Sequence, residues 1–350
     1  QDDFLLFVRK QGFAPFFLPN EKGEAVFVRI HNNILEETNP HKIKEFILLW
    51  IEALPDELPK DDLFPDAIFT KKRLREVVIN KEKVLFAETK LQCILSLRPK
   101  FHKDGKTDSY FYFQNGFVCV NKDAILFHPY VDLDGVIWRS TIIPRDYVFS
   151  ETGGDYEMFF MNVFAKDTKR IDSFATALGY CLHRYKNPSV TKAIILVDEI
   201  ISEVAEGGTG KSLIANGISQ LRKVVKIDGK DFSFDDRFAF QDVGLDTNVI
   251  VFDDVRRDFD FERIFHKVTD GLSIERKSLP KIRISAEDSP KFFITTNYTI
   301  RGENFSANRR KSEYELAPYY GKDKAPIDEF KKNFFTEWNQ TDWANFDFFM

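Results

Sequence analysis

Residues 205–212 read Ala-Glu-Gly-Gly-Thr-Gly-Lys-Ser. Three glycines in a phenylalanine-rich chain strip a loop of side chains, and a bare loop opening a helix turns a ring of backbone N–H donors toward an anion. The string fits the phosphate-loop pattern G-x-x-x-x-G-K-[ST], with Ala205 in place of its first glycine. Gly207, Gly208, Thr209 and Gly210 would form the cradle around a nucleotide's phosphates. Lys211 would reach the β- and γ-phosphates, and the Ser212 hydroxyl would ligate Mg²⁺. ATP and Mg²⁺ are therefore the expected cofactors.

Such a loop needs carboxylates at the tip of a neighbouring strand, and the apolar run "VIVFDD" ends in Asp253 and Asp254. Asp253 is expected to hold the metal, and Asp254 to orient and deprotonate the attacking water. "ITTN" closes another apolar run with Asn297, expected between the carboxylates and the γ-phosphate. Without the glycine loop, all three would read as solvated strand ends or turn residues.

The elements that must position these groups alternate. "KAIILVDE" reads as a buried strand, followed after an extended link by the glycine loop and a helix from about 211 to 223. The strands "NVIVFDD" and "KFFITTN" come next. Strands alternating with helices predict an α/β fold, a parallel sheet covered on both faces. Upstream, "AKDTKRIDSFATALGYCLHRYKNP" is a helix capped by Asp167, and "HKIKEFILLWIEALP" is an amphipathic helix that Pro55 ends. "YFYFQNGFVCV" is a hairpin about Asn115-Gly116. Lys71, Lys72, Arg73 and Arg75 on "FTKKRLREVVI" read as a solvated helix face.

Bulk properties narrow the classes. With 350 residues and 43% hydrophobic content the chain can bury a large core. No apolar run approaches a membrane span and no leader precedes "DDFLLFV", so a soluble cytoplasmic protein is expected, of a bacterial or phage-infected cell. Cys93, Cys119 and Cys181 lack pairing or metal spacing and read as buried reduced thiols, and the six histidines are scattered. The start at Gln1 suggests a segment of a longer polypeptide. The formal charge of −5 assigns any nucleic-acid binding to a local patch. "LSIERKSLPKIRIS" supplies one: two alternating strands about a Ser278-Leu279-Pro280 turn, with Arg276, Lys277, Lys281 and Arg283 beside it. Its bland reading is a surface hairpin with solubilising lysines.

Lys211 and Asp253 are 42 residues apart, and Asp254 and Asn297 are 43 apart. A phosphate loop, paired acids and T-T-N in that order over 190–320 resemble the superfamily 3 helicases. The likeness is to the helicase halves of phage and mobile-element primase-helicases. The resemblance implies an AAA+ ATPase that assembles as a ring, usually a hexamer, and moves along single-stranded DNA. It also implies that the 272–285 hairpin projects into the ring's channel, where Arg276, Lys277 and Lys281 would meet the strand. In the family an arginine beyond the asparagine reaches a neighbouring subunit's site, where it is worth on the order of 10³-fold or more in rate. Arg309 or Arg310 fills that role here.

The expected organisation is an N-terminal α+β region over 1–150, a helical lead-in over 151–190, the ATPase domain over 191–320, and an aromatic tail over 321–350 packed on the core. The expected function is an ATP-dependent, ring-forming DNA helicase or translocase in replication of a phage or mobile element, with a primase or other replication proteins as partners. The rivals are an AAA+ switch binding a protein partner, for instance in phage defence, and a monomeric phosphate-loop kinase. Reversing the hairpin charges separates the helicase from both.

Overall fold

The computed structural model describes residues 2–17, 25–58, 70–200, 208–277, 279–300 and 305–350, leaving aside the side chains of 279 and 280. Ala205, Glu206, Gly207 and Ser278 of the motifs above lie outside them. The chain forms two compact units, Gln1–His102 with Leu133–Arg139, and Lys103–Asp132 with Ser140–Met350.

The first unit is mixed α and β. It holds α1 (Asp2–Lys10), β1 (Phe13–Phe17), β2 (Ala25–His31), β3 (Ile34–Thr38), α2 (Pro40–Glu52), α3 (Lys71–Asn80), α4 (Glu82–Leu85) and α5 (Glu88–Leu91). As the spacing predicted, α2 turns Ile43, Ile47 and Ile51 inward, and its Asn39 cap accepts from Lys42 N. The basic face of α3 is solvated, with Arg75 on Glu52 and Lys71 on Asp56.

The second unit opens with the antiparallel strands β4 (Ser109–Phe113), β5 (Gly116–Val120) and β6 (Ile125–His128). A returning strand, β7 (Ile137–Trp138), belongs to the first unit, where it closes the order β1-β2-β3-β7. Then come α6 (Gly154–Val163), α7 (Thr168–Leu182), β8 (Ala193–Asp198), α8 (Lys211–Ser219), β9 (Val224–Asp228) and β10 (Val249–Val255). They are followed by α9 (Phe265–Thr269), β11 (Leu272–Arg276), β12 (Leu279–Ile284), β13 (Lys291–Thr296), α10 (Phe305–Arg310), β14 (Lys311–Leu316), α11 (Pro326–Phe330) and α12 (Gln340–Phe349). The main sheet is fully parallel in the order β14-β8-β13-β10-β9.

Strand alternation sends successive residues to opposite faces. Ile194, Leu196, Val249, Val251 and Phe293 join α6, α7, α8 and the tail, while Ala193, Ile195, Ile250, Phe252 and Phe292 pack against 259–268 and the β11–β12 hairpin. Both faces are therefore covered, which is why the strands read as continuous apolar runs. In the tail, Phe346 is inaccessible and meets Tyr156 edge-on at 4.9 Å.

Several expectations shift. The division falls after His102 rather than near 150, because Phe111, Phe113 and Val118 share the core of α6 and α7. The glycine pair at 153 and 154 instead starts α6, with Gly154 at φ +58°. Helix α8 stops at Ser219, not 223, which frees the buried Arg222 to donate to the Leu182 and Tyr110 carbonyls. Cys93 is exposed, whereas Cys119 and Cys181 are buried. Among the described residues no helix is long and apolar enough to cross a membrane, and no group of three or more His, Cys, Asp and Glu side chains is placed to hold a metal ion.

Candidate functional site

Parallel strands place their C-terminal ends at one edge, where open α/β sheets bind ligands. Here β8 delivers the glycine loop, β10 the acids and β13, lying between them, Asn297. Groups some 40 residues apart are thereby neighbours.

Gly208 and Gly210 have φ of +107° and +110°, a left-handed conformation that disfavours any β-carbon. At Gly210 a β-carbon would also meet the Phe159 ring at 2.9 Å. Gly210 caps α8, whose first turn leaves backbone donors without helical partners. Lys211 is buried; its ammonium pairs with Asp198 Oδ2 and donates to Thr209 Oγ1 at 3.2 Å. Thr209 Oγ1 donates to Asp198 Oδ1 at 2.6 Å. Asp198, the last residue of β8, was not singled out in the sequence. Its signal was there: a carboxylate ending the strand that leads to the loop.

Adjacent strand residues point to opposite faces, so two successive acids could not ordinarily serve one site. Here Phe252 pairs with Ile294 and Val255 with Thr296, so Asp253 and Asp254 together oppose Thr295. This bulge sets Asp254 at φ +56° and re-aims the side chains. The Thr295 hydroxyl ties it together, accepting from Asp254 N at 2.8 Å and donating to Asp253 Oδ1 at 2.7 Å. Gly229 fits against it: its N–H donates to Asp253 O at 2.7 Å, and a β-carbon there would lie 2.7 Å from Val255 N.

Ser212 Oγ donates to Asp253 Oδ1 at 3.5 Å, and Lys226 pairs with Asp253 Oδ2 at 2.7 Å. Burial pushes the Asp253 carboxyl up, but the bonds from Lys226, Thr295 and Ser212 outweigh it, leaving the group below the usual carboxylate range. Asn297 Nδ2 donates to Asp254 Oδ1 at 2.9 Å, and Lys230 pairs with Asp254 Oδ2 at 2.5 Å. Asn297 thus sits on Asp254 alone, and it is Thr295 that lies between the acids. The buried Asn297 Oδ1 has no partner among the described residues. A cavity of about 290 Å³ borders Asp198, Thr209, Asn297 and Tyr320. Lys226 and Lys230 were missed because only the sheet order brings β9 beside β10.

The two arginines differ. Arg309 is exposed, whereas Arg310 folds back, donating to Ser306 O at 3.1 Å and lying 5.0 Å over the Phe265 ring. Glu313 pairs with Lys311.

The hairpin forms as β11 and β12. It differs at the tip from the expectation: Arg276 pairs with Leu279, so Leu279 and Pro280 belong to a strand rather than to the turn. A two-stranded ribbon has free edges on which a proline costs no ladder bond. Leu272, Ile274, Ile282 and Ile284 face the core. Lys277, Lys281 and Arg283 are exposed; Arg276 is half-buried, and Lys281 lies 3.8 Å from Glu275, which also binds Arg237.

No family model matches the chain, and no curated protein does. Among solved structures it aligns with apo forms of the NrS-1 C-terminal region at 12% and 13% identity. The TM-score is 0.48 for each, over 98% of this chain and 65% of that one. The chain thus spans just under two-thirds of those chains. A JCV helicase aligns at 14% identity with a TM-score of 0.34, over 47% of this chain and 44% of that one. TM-scores below 0.5 transfer no residue role and no activity.

Proposed function

We propose that the chain is an ATP-driven motor on single-stranded DNA, a ring-forming AAA+ helicase or translocase of the superfamily 3 type. Its place would be the replication of a phage or mobile element, alongside a primase or other replication proteins. The observation that carries this reading is the convergence of the Lys211 loop, the Asp253-Asp254 bulge and Asn297 on one edge of the sheet.

The amides of Gly208 to Ser212 bind the phosphates, and Lys211 exchanges Asp198 for phosphate oxygen. The donor set suits a hard cation: the Ser212 hydroxyl and Asp253 oxygens would hold Mg²⁺. When bound, the ion neutralises charge on the β- and γ-phosphates. Asp254 takes the proton of the attacking water, and the partnerless Asn297 Oδ1 accepts from that water and fixes its direction. Arg309, exposed where Arg310 is folded back, is the arginine offered to a neighbouring subunit. Lys277, at the hairpin tip, contacts the DNA backbone with Arg276 and Lys281.

The test is ATP hydrolysis with and without single-stranded DNA. DNA should raise turnover, Lys211→Ala should abolish it, and Lys277→Ala should remove only the stimulation. Turnover indifferent to DNA in every variant would sink the motor and favour a protein-binding switch.

A further inference from the structure

At the opposite, N-terminal end of the sheet lies a second cavity of about 340 Å³. It adjoins Lys291, the first residue of β13, and Asn248, which precedes β10. A six-residue strand separates it from the nucleotide edge by roughly 20 Å. One wall is the 285–290 link joining the hairpin to β13, the other the segment after α7.

The charges here are unevenly matched. Asp104 is consumed by Arg222 at 3.2 Å and by bonds from Ser109, Tyr110 N and Arg184 N. Asp288 is paired with Lys103 at 2.5 Å. The Lys291 ammonium is taken by the Tyr180, His183 and Tyr185 carbonyls. Two cations remain. Lys186 is 5% exposed, and its ammonium has one hydrogen-bond partner among the described residues, Ser289 Oγ at 2.5 Å. Burial lowers its pKa to about 8, against a pull upward from Asp270. The half-buried Arg184 guanidinium lines the same cavity with no hydrogen-bond or ion-pair partner among the described residues. A buried ammonium with spare donors beside an unpaired guanidinium fork matches a tetrahedral oxyanion, because desolvated donors are satisfied only by an acceptor of opposite charge.

We propose that this cavity is a second anion site, in which Arg184 and Lys186 bind a phosphate group at the root of the β11–β12 hairpin. Lys186 also holds Ser289 of the hairpin link, so an incoming phosphate draws on a group that anchors the hairpin. The phosphate comes either from a nucleic-acid backbone passing the hairpin or from a free phosphate in solution.

The experiment uses the full chain carrying Lys211→Ala, so that the glycine loop does not answer for the new site. Thermal shift is recorded against inorganic phosphate at constant ionic strength, and oligothymidylate affinity against salt, each with Arg184 intact, Arg184→Gln, Arg184→Lys and Lys186→Met. The site predicts phosphate affinity at least tenfold weaker in Arg184→Gln and partly restored in Arg184→Lys. If the source is nucleic acid, the slope of log affinity against log salt also falls by about 0.7 in Arg184→Gln; an unchanged slope with lost phosphate binding assigns the site to free phosphate. Equal phosphate response and equal salt slope in all four proteins would overturn the proposal. The phosphate arm decides even if the chain binds no DNA, so this site and the motor stand or fall separately.

Discussion

At the C-terminal edge of the main sheet each acid is matched by a lysine: Asp198 by Lys211, Asp253 by Lys226 and Asp254 by Lys230. Each pair competes with the ligand its members would bind. Asp198→Asn should therefore tighten ATP binding several-fold, measured by equilibrium binding of a fluorescent nucleotide, and weaker binding would show that Asp198 supports the loop. Lys226 acts on Asp253 in a way that pH can read. A carboxyl held below its ordinary range contributes stability that is present above about pH 4 and lost as pH falls through its folded value. Lys226→Met should thus lower unfolding stability at pH 7, by less than about 1 kcal/mol because the lysine is half exposed. The gap to the native protein should close toward pH 3 in urea titrations.

At the scale of elements, the β10 bulge and the end of α7 are the points of leverage. Gly229→Ala would press a β-carbon onto the Val255 amide, so it should cost about 1–3 kcal/mol and lower turnover by displacing the acids. Unfolding and ATPase measurements on the variant check both parts. Lys291→Met would strip three carbonyls at the C-terminus of α7 of their donor. A loss of about 2–4 kcal/mol is expected from chemical denaturation. Legibility in the sequence follows the same division. Gly208, Gly210, Lys211, Asp253, Asp254 and Asn297 could be found because glycine content and strand-end polarity are local signals. Asp198 carried the same strand-end signal, whereas Thr295, Lys226 and Lys230 join them only through the order β8-β13-β10-β9, which spacing along the chain does not encode. The turn about 278–280 was misplaced by one or two residues because Pro280 reads as a turn former, while the register of Arg276 with Leu279 is set by the isoleucines facing the core.

At the scale of the molecule, a net charge of −5 and a basic hairpin divide the surface between repulsion and attraction of a polyanion. The boundary near 150 failed because a glycine pair marks a backbone requirement, not a gap in packing. The aromatic tail was readable as buried, since so many large rings need cover. Phe346→Ala should cost about 3–5 kcal/mol, and calorimetry should show the second unit melting earlier as one transition. The same packing sets an order of events in synthesis. Phe111 near the start of this unit, Tyr156 in α6 and Phe346 in α12 occupy one core. Contacts across more than 200 residues close slowly and late. A nascent chain halted before residue 346 lacks the Phe346 and Phe349 rings that pack on Tyr156, in the helix that lies beneath Gly210. Helix α12 thus completes the packing around the helix on which the glycine loop rests.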